Sequence, residues 1–193
     1  MSATTTKQAL AASLKQMLKK KPLDKITIRD ICEGCDVNRQ TFYYHFQDIY
    51  DLIEWIYTNA EYSILRSRRF ETWQEGMAEI FAYALQEKEF VSSTYHSISR
   101  EHLESFLYRE TFQLLCEIIE RRYGDIRINE EDKVFLADFY KYAFVGFLLD
   151  WVRKGMKEDP TILIHKMTLV QESSFTDTLQ YFANARKRKH GSA

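Results

Sequence analysis

Apolar residues recur at three- and four-residue intervals along nearly the whole chain, which is the spacing that places them on one face of an α-helix. The first apolar stripe consists of Leu10, Leu14, Met17 and Leu18, and it ends before Pro22. The chain of 193 residues contains only two prolines and six glycines, so few positions interrupt this pattern. The pattern predicts an all-α protein.

A second, short helix is predicted from Thr27, because Thr27 and Asp30 have the spacing of a capping box. Ile26 and Ile31 flank this start at the positions of a hydrophobic staple. The segment GCDVN then interrupts the pattern, and both Gly34 and Asp36 are residues that tolerate left-handed backbone angles. We therefore expect a tight turn after the second helix.

A third helix is predicted after this turn, in the stretch NRQTFYYHF, with Asn38 as its N-cap. At 100° per residue, Gln40, Tyr43 and Tyr44 project from one side of this helix. Phe42 projects from the other side, as does Phe46, where both can pack against the first two helices. Two short helices joined by a tight turn, the second with a polar and aromatic outer face, form the helix-turn-helix arrangement that places its second helix in the DNA major groove.

The side chains of this segment suit such a use. Glutamine pairs with adenine, arginine pairs with guanine, and the threonine methyl group contacts the thymine methyl. Tyrosine hydroxyls, the Thr27 side chain and helix N-terminal amides can bind phosphates, which fixes the register without recognising bases. The rival interpretation of the segment is an ordinary three-helix packing unit with exposed tyrosines.

The stretch TIRDICEGCDVNRQTFYYHFQDIYDLI resembles the helix-turn-helix signature of TetR-family transcriptional regulators, and GFLLDWVRKGMKEDP resembles the end of the penultimate helix in many members. The variant with RQTFYYHF and DIYDLIEWI is most similar to members from Gram-positive bacteria, including regulators of dihydroxyacetone kinase operons. The resemblance implies DNA contacts by Thr27, Asn38, Arg39, Gln40, Thr41, Tyr43, Tyr44 and His45. The sequence departs from the family pattern at two positions. Ile49 stands where the family usually has a lysine that contacts a phosphate, and Lys25, Arg29 or the N-terminal lysines can provide that contact instead. Asp36 stands where the family commonly has a glycine in the turn.

Further helices are predicted at Asp48 to Arg66, Gln74 to Glu87, His102 to Arg121, Glu131 to Arg153 and Thr161 to Ala183. The turn before the last of these has Gly155 just past a helix end, Asp159 as an N-cap and Pro160 at the first helical position. We predict a DNA-binding domain at residues 1–47, a dimerisation and effector-sensing domain at residues 48–185, and a basic tail at residues 186–193.

The segment from Val134 to Val152 is apolar on nearly every side, so one face is expected to pack within its own subunit and another on a partner subunit. With the Thr161 to Ala183 helix beside it, two such pairs would form a four-helix dimer interface, as the resemblance also implies. The residues predicted for this interface are Phe139, Phe144, Phe147, Leu148, Trp151, Leu169 and Leu179.

The middle of the chain is rich in aromatic residues and histidine, and the resemblance implies an effector pocket there. Aromatic residues at helical spacing also form plain core, and some relatives could respond to a partner protein instead. The candidate pocket residues are Tyr62, Phe81, Tyr95, His96, His102 and Phe106.

Charge and composition restrict the kinds of partner and the classes of function that fit the chain. The net charge is −1, but residues 1–50 carry eight basic and five acidic side chains, so the N-terminal end is the one suited to a polyanion. Hydrophobic residues make up 45% and charged residues 28%, without a membrane-length apolar run or secretory signal, which indicates the cytoplasm. Enzyme motifs with phosphate-cradling glycines or nucleophile elbows are absent.

We expect no metal site and no cofactor, since the pair Cys32 and Cys35 has no second ligand pair at zinc spacing. The predicted function is a sequence-specific regulator that binds a palindromic operator as a homodimer and is controlled by a ligand or a partner protein. The alternative is a helical interaction adaptor without DNA affinity of its own.

Overall fold

The structure is a computed structural model that describes residues 3–60, 70, 72–97, 100–126 and 128–190. It is all-α over the described residues, as predicted. The helices are α1 (Ala3–Leu18), α2 (Ile28–Glu33), α3 (Arg39–His45), α4 (Ile49–Trp55), α5 (Trp73–Gln86), α6 (Lys88–Tyr95), α7 (Arg100–Tyr123), α8 (Glu130–Arg153) and α9 (Pro160–His190). A 3₁₀ turn at Leu23–Lys25 precedes α2, and α4 continues into a π-helical segment at Ile56–Ala60.

The chain forms two compact units. The first comprises Met1–Arg68 with Ala84–Leu107, and the second comprises Arg69–Tyr83 with Tyr108–Ala193. The predicted domain boundary near residue 47 stays a prediction.

The first unit contains the helix-turn-helix, and its local signals determine its shape. Thr27 and Asp30 form both halves of the predicted capping box at the start of α2. Asp36 adopts the left-handed backbone expected in the turn, with φ of 53°. Gly34 does not, since its φ is −68°; it is instead needed for close packing, because a Cβ there would lie 2.3 Å from Ser13 Oγ on α1.

The core of the first unit joins α1, α2 and α3 to α4. Leu10 and Leu14 of α1, Ile31 of α2 and Phe42 of α3 are completely buried. The ring of Phe46 lies 5.9 Å from that of Trp55 on α4. The two phenylalanines of the third predicted helix therefore face inward as expected, which leaves the opposite side of α3 to the surface.

Helix α6 was not predicted. Its N-cap residue, Glu87, forms no side-chain cap hydrogen bond, so the sequence offers no signal for the start of a helix there. Its apolar side, with Phe90, Val91 and Tyr95 buried, packs in the first unit, where Lys15 of α1 lies 3.1 Å from Glu87.

In the second unit, the buried side of α8 packs on α5 and α9. The rings of Phe144 and Trp151 on α8 lie 6.1 and 4.9 Å from that of Phe81 on α5. The predicted turn before α9 is confirmed, since Gly155 has φ of 79° and the Asp159 carboxylate accepts a hydrogen bond from the Thr161 amide. Helix α9 extends to His190, beyond its predicted end at Ala183, so residues 186–190 continue the helix rather than following it.

Candidate nucleic-acid interface

The outer face of α3 carries polar and aromatic side chains that project into solvent. Tyr44 is 83% exposed and Tyr43 is 58% exposed, whereas Phe42 and Phe46 on the opposite side are buried. Gln40 is also exposed. Neither the Gln40 amide nor the hydroxyl groups of the two tyrosines form a hydrogen bond within the described part of the chain. This face therefore has free donors and acceptors for an external partner.

The start of α3 is fixed by Asn38. Its Oδ1 atom accepts hydrogen bonds from the backbone N–H of Thr41 at 2.7 Å and from the Thr41 hydroxyl at 2.9 Å. The Thr41 hydroxyl proton is therefore used within the protein, and the methyl group is the part of this side chain that remains for a base contact. The Asn38 side-chain NH₂ group is not used by this cap, so it can still donate to a phosphate.

The start of α2 is fixed by the capping box. Asp30 accepts a hydrogen bond from the Thr27 backbone N–H, and the Asp30 N–H donates to the Thr27 hydroxyl oxygen. The Lys21 ammonium group donates to the Asp30 carboxylate at 2.8 Å, and with the Thr27 bonds it lowers the pKa of Asp30 to about 2. Because Thr27 acts only as an acceptor in the box, its hydroxyl proton remains available to an oxygen outside the protein.

Two arginines border an open cleft between α2 and α3, which Cys32, Val37 and Asn38 also line. The Arg29 guanidinium group donates to Glu33 at 2.6 Å, and both side chains are well exposed. Arg39 is exposed and forms no ion pair with any described residue. His45 is half-buried, and its ring lies 4.9 Å from that of Tyr44.

The N-terminus of α4 differs from a phosphate-binding helix start. The Asp48 carboxylate accepts from the Asp51 N–H, and the Asp51 carboxylate accepts from the Gln47 N–H. Asp48 thus uses the Asp51 amide at the start of α4, both carboxylates lie near the positive end of the helix dipole, and the neighbouring Ile49 offers no charge. The two carboxylates therefore add acidic repulsion at the position where the resemblance led us to expect a lysine.

The residues predicted for a dimer interface fall into two groups. Phe139, Phe147 and Leu169 are at least half exposed and can meet a partner. Phe144, Leu148, Trp151 and Leu179 are at most 3% exposed, so they belong to the core of their own protomer and have little surface left for a partner. A helix that is apolar all round hides this distinction, because its sequence does not show which side meets its own chain.

Other exposed apolar residues on the same two helices were not predicted. On α8 and α9 they are Val134, Phe135, Tyr142, Ile162, Val170 and Tyr181. Phe135 and Tyr142 lie four and three residues from Phe139, and Ile162 lies seven from Leu169, so helical spacing was the signal that could have identified these three.

The candidate effector residues do not gather at one described cavity. Phe81, Tyr95 and Phe106 are buried by packing, with Phe106 stacked on Tyr57 at 5.3 Å. His96 is exposed. Tyr62 and the side chain of His102 lie outside the described residues.

The second unit has a small cavity between α5, α7, α8 and α9. Its walls include Trp73, Ile119, Tyr140 and Phe175, and its volume of about 20 Å³ is that of one water molecule. The Trp73 indole N–H donates to Gln171 across it at 2.6 Å.

Other chemistry finds little support in the part of the chain that the structure describes. Burial raises the pKa of the Cys32 and Cys35 thiols, which disfavours the thiolate that redox or metal chemistry needs. Among the described residues no group of histidine, cysteine and acidic side chains could hold a metal ion. None of the described helices is long and apolar enough to cross a membrane.

Comparisons with known proteins place this site in a family. The sequence model described as "Bacterial regulatory proteins, tetR family" matches residues 5–56, and that described as "Transcriptional regulator C-terminal region" matches residues 71–173. The HTH-type dhaKLM operon transcriptional activator DhaS of Lactococcus lactis subsp. lactis (strain IL1403) is 20% identical over 153 residues, which cover 78% of this chain and 81% of DhaS.

Solved structures show the same fold. That of the dihydroxyacetone kinase operon activator DhaS matches with a TM-score of 0.73 and 18% identity, covering 92% of this chain and 97% of the other. That of NalD, the secondary repressor of the MexAB-OprM multidrug efflux pump in Pseudomonas aeruginosa, matches with a TM-score of 0.61 and 14% identity, covering 90% and 96%. Since the C-terminal model alone spans more than half of the sequence and the N-terminal model covers the helix-turn-helix, the chain belongs to the TetR family of transcriptional regulators.

Proposed function

We propose that this regulator binds a palindromic operator as a homodimer and recognises each half-site with the outer face of α3. The observation that carries the proposal is this face itself, where exposed polar groups without internal partners lie on a helix held by a cap and a buried core. A short helix held in this way, with polar and aromatic side chains directed outward after a tight turn, has the geometry of a recognition helix.

The side chains divide into two roles in this proposal. Gln40 and Arg39 contact base edges, since both can form bidentate pairs in the major groove. Thr41 adds its methyl group. The DNA backbone is contacted by the side chains of Tyr43, Tyr44, His45, Thr27 and Asn38. Arg29 and Lys25 supply the positive charge for the phosphates, which the acidic start of α4 does not provide.

The exposed apolar sides of α8 and α9 form the dimer interface. Phe139, Phe147 and Leu169 are the predicted members that remain exposed in the protomer. Burying these side chains against the same surface of a second copy gives a closed two-fold dimer. A two-fold axis sets the two α3 helices about one DNA turn apart, or a multiple of it.

Control of DNA binding comes from the C-terminal region. A ligand or a partner protein that binds one separation of the α3 helices better than another shifts the population and so changes operator affinity. The small cavity beside Trp73 would have to enlarge before it held an organic effector. On the similarity to DhaS, we propose a dihydroxyacetone kinase operon as the target, with the protein acting in the cytoplasm.

The test is fluorescence anisotropy with a labelled duplex from upstream of such an operon, against a scrambled duplex, over a salt series. We expect tight binding that prefers the operator and weakens steeply with salt, because phosphate contacts release counterions. Equal binding to both duplexes refutes sequence recognition by α3. No binding at any salt concentration favours the adaptor without DNA affinity, and binding confined to duplexes from other operons refutes the proposed target.

Substitutions on α3 distinguish the side chains that recognise bases from those that bind phosphates. Gln40→Ala should relax base preference and cost about 1–3 kcal/mol on the operator but little on scrambled DNA. Tyr44→Phe should weaken both duplexes alike and leave the salt slope nearly unchanged, because the lost phosphate contact is made by a neutral hydroxyl. Gln113→Ala is the matched control for Gln40→Ala, since Gln113 is an exposed glutamine on α7.

A further inference from the structure

Gly146 lies in the interior of α8, and no contact within its own protomer requires a glycine at this position. The helix spans 24 residues, and Gly146 is exposed near its middle on the C-terminal side. A Cβ atom built at Gly146 would meet nothing within 4 Å. Glycine in a helix interior is less favourable than alanine, so a position with room for alanine should not favour glycine.

The surroundings of Gly146 are bulky and apolar. Phe139 and Tyr142 precede it by seven and four residues and so lie on the same side of the helix, and Phe147 borders that side. Each of these three side chains is at least half exposed. Gly146 is therefore a notch in a row of exposed aromatic rings.

The charges near this notch favour a second copy of the chain as its occupant. Asp150, one turn further on, is already paired with Arg153 at 2.5 Å and with Lys154 at 2.7 Å in its own protomer. The Asp150 carboxylates of two identical copies would therefore meet already neutralised by cations of their own protomers. Leu169 and Val170 of α9, the other helix of the interface proposed above, are likewise exposed.

Symmetry explains why the notch is needed. In a two-fold interface, a residue on the axis meets its own copy, so a large side chain there would collide with itself. A glycine at that point lets two helix backbones approach closely while the aromatic rings on either side interdigitate. We propose that the α8 helices of two protomers cross at Gly146 on the two-fold axis of the dimer.

This inference rests on the proposed homodimer, and the first measurement separates the two. Sedimentation of the wild-type protein over a concentration series should show a dimer. A monomer at all concentrations overturns the homodimer, and the crossing with it. A dimer leaves the crossing to be decided by the variants.

Gly146→Cys tests the position directly. Because the residue meets its own copy, mild oxidation should produce a covalent dimer, which requires Cα atoms within about 7 Å. Glu131→Cys is the control, since it is also exposed on α8 but lies about 22 Å along the helix. Wild-type protein, treated in parallel, reports any crosslinking by its own three cysteines.

Gly146→Ala and Gly146→Leu test the energetic role, with circular dichroism to confirm helix content. At the crossing, leucine should weaken dimerisation by at least about tenfold through overpacking. Alanine should weaken it less, although alanine is the better helix former. The crossing is overturned if the wild-type protein dimerises but Gly146→Cys crosslinks no better than Glu131→Cys, or if Gly146→Ala and Gly146→Leu leave the dissociation constant unchanged.

Discussion

Substitution of Gly34 by alanine tests how the helix-turn-helix is held together. Gly34 is the C-cap of α2 and has ordinary right-handed angles, so alanine is compatible with its backbone. The added Cβ would nevertheless lie 2.3 Å from Ser13 Oγ and 3.0 Å from Met17 Cε on α1. The end of the methionine side chain can move away, but Ser13 Oγ is held by a buried 2.8 Å hydrogen bond that it donates to the Ile31 carbonyl.

The cost follows from these contacts. Moving the Ser13 hydroxyl breaks a buried hydrogen bond, worth about 1–3 kcal/mol when the acceptor is left without it. Residual crowding between α1 and α2 adds about 1–3 kcal/mol. The higher helix propensity of alanine offsets at most about 1 kcal/mol of this destabilisation. We therefore expect Gly34→Ala to lower the free energy of unfolding by about 1–6 kcal/mol, with a central value of about 3 kcal/mol.

A double-mutant cycle with Ser13→Ala isolates the cause. Ser13→Ala removes the obstructing oxygen, so Gly34→Ala added to that variant should be neutral or slightly stabilising. The assay is urea unfolding followed by circular dichroism at one protomer concentration, since a dimer makes apparent stability concentration-dependent. If Gly34→Ala destabilises equally in both backgrounds, the contact with Ser13 does not explain the glycine.

Three further predictions concern hydrogen-bonded groups of the first unit. The pKa of Asp30 is about 2 against an ordinary value of 3.8, so the stability that its carboxylate contributes is present above pH 3.8 and lost as the pH falls towards 2. In Asp30→Asn, the free energy of unfolding should depend less on pH in this range, as measured by circular dichroism. Tyr57→Phe removes a buried hydrogen bond of 2.5 Å to Thr94 and should lower the urea stability by about 0.5–1.5 kcal/mol, whereas an unchanged midpoint would contradict a stabilising role for that bond. Asn38→Ala should cost about 1 kcal/mol of stability and weaken operator binding, and Asn38→Ser, which keeps a cap, should restore the stability in the same urea assay.

The sequence predicted the helix-turn-helix well because its signals are local. The capping box of Thr27, the cap by Asn38 and the left-handed Asp36 each depend on residues within a few positions, and all are confirmed. Gly34 tolerates left-handed angles but does not adopt them, and the contact that requires a glycine comes from Ser13, 21 residues earlier in the sequence. Such a contact exists only once α1 and α2 have packed.

The rest of the chain was harder to predict because its signals are weak or depend on packing. The predicted fourth helix is confirmed over its described residues, but its π-helical segment after Trp55 follows no known local pattern; there the Thr58 hydroxyl donates to the Glu54 carbonyl. In α8, apolar residues on nearly every side gave no means of separating the core residue Phe144 from the exposed Phe139.

The charges around α3 give the proposed DNA contacts a particular character. Arg29 is paired with Glu33, and Lys25 lies 3.7 Å from Asp24, but all four side chains are well exposed. Exposed pairs of this kind contribute only about 0–1 kcal/mol, so either cation can leave its partner for a phosphate at small cost. The start of α4 cannot adapt in the same way, because its carboxylates also cap the helix. Phosphate binding should therefore depend on movable cations beside α2 and on the fixed tyrosine hydroxyls of α3, and removing the tyrosines should reduce affinity without steepening its dependence on salt.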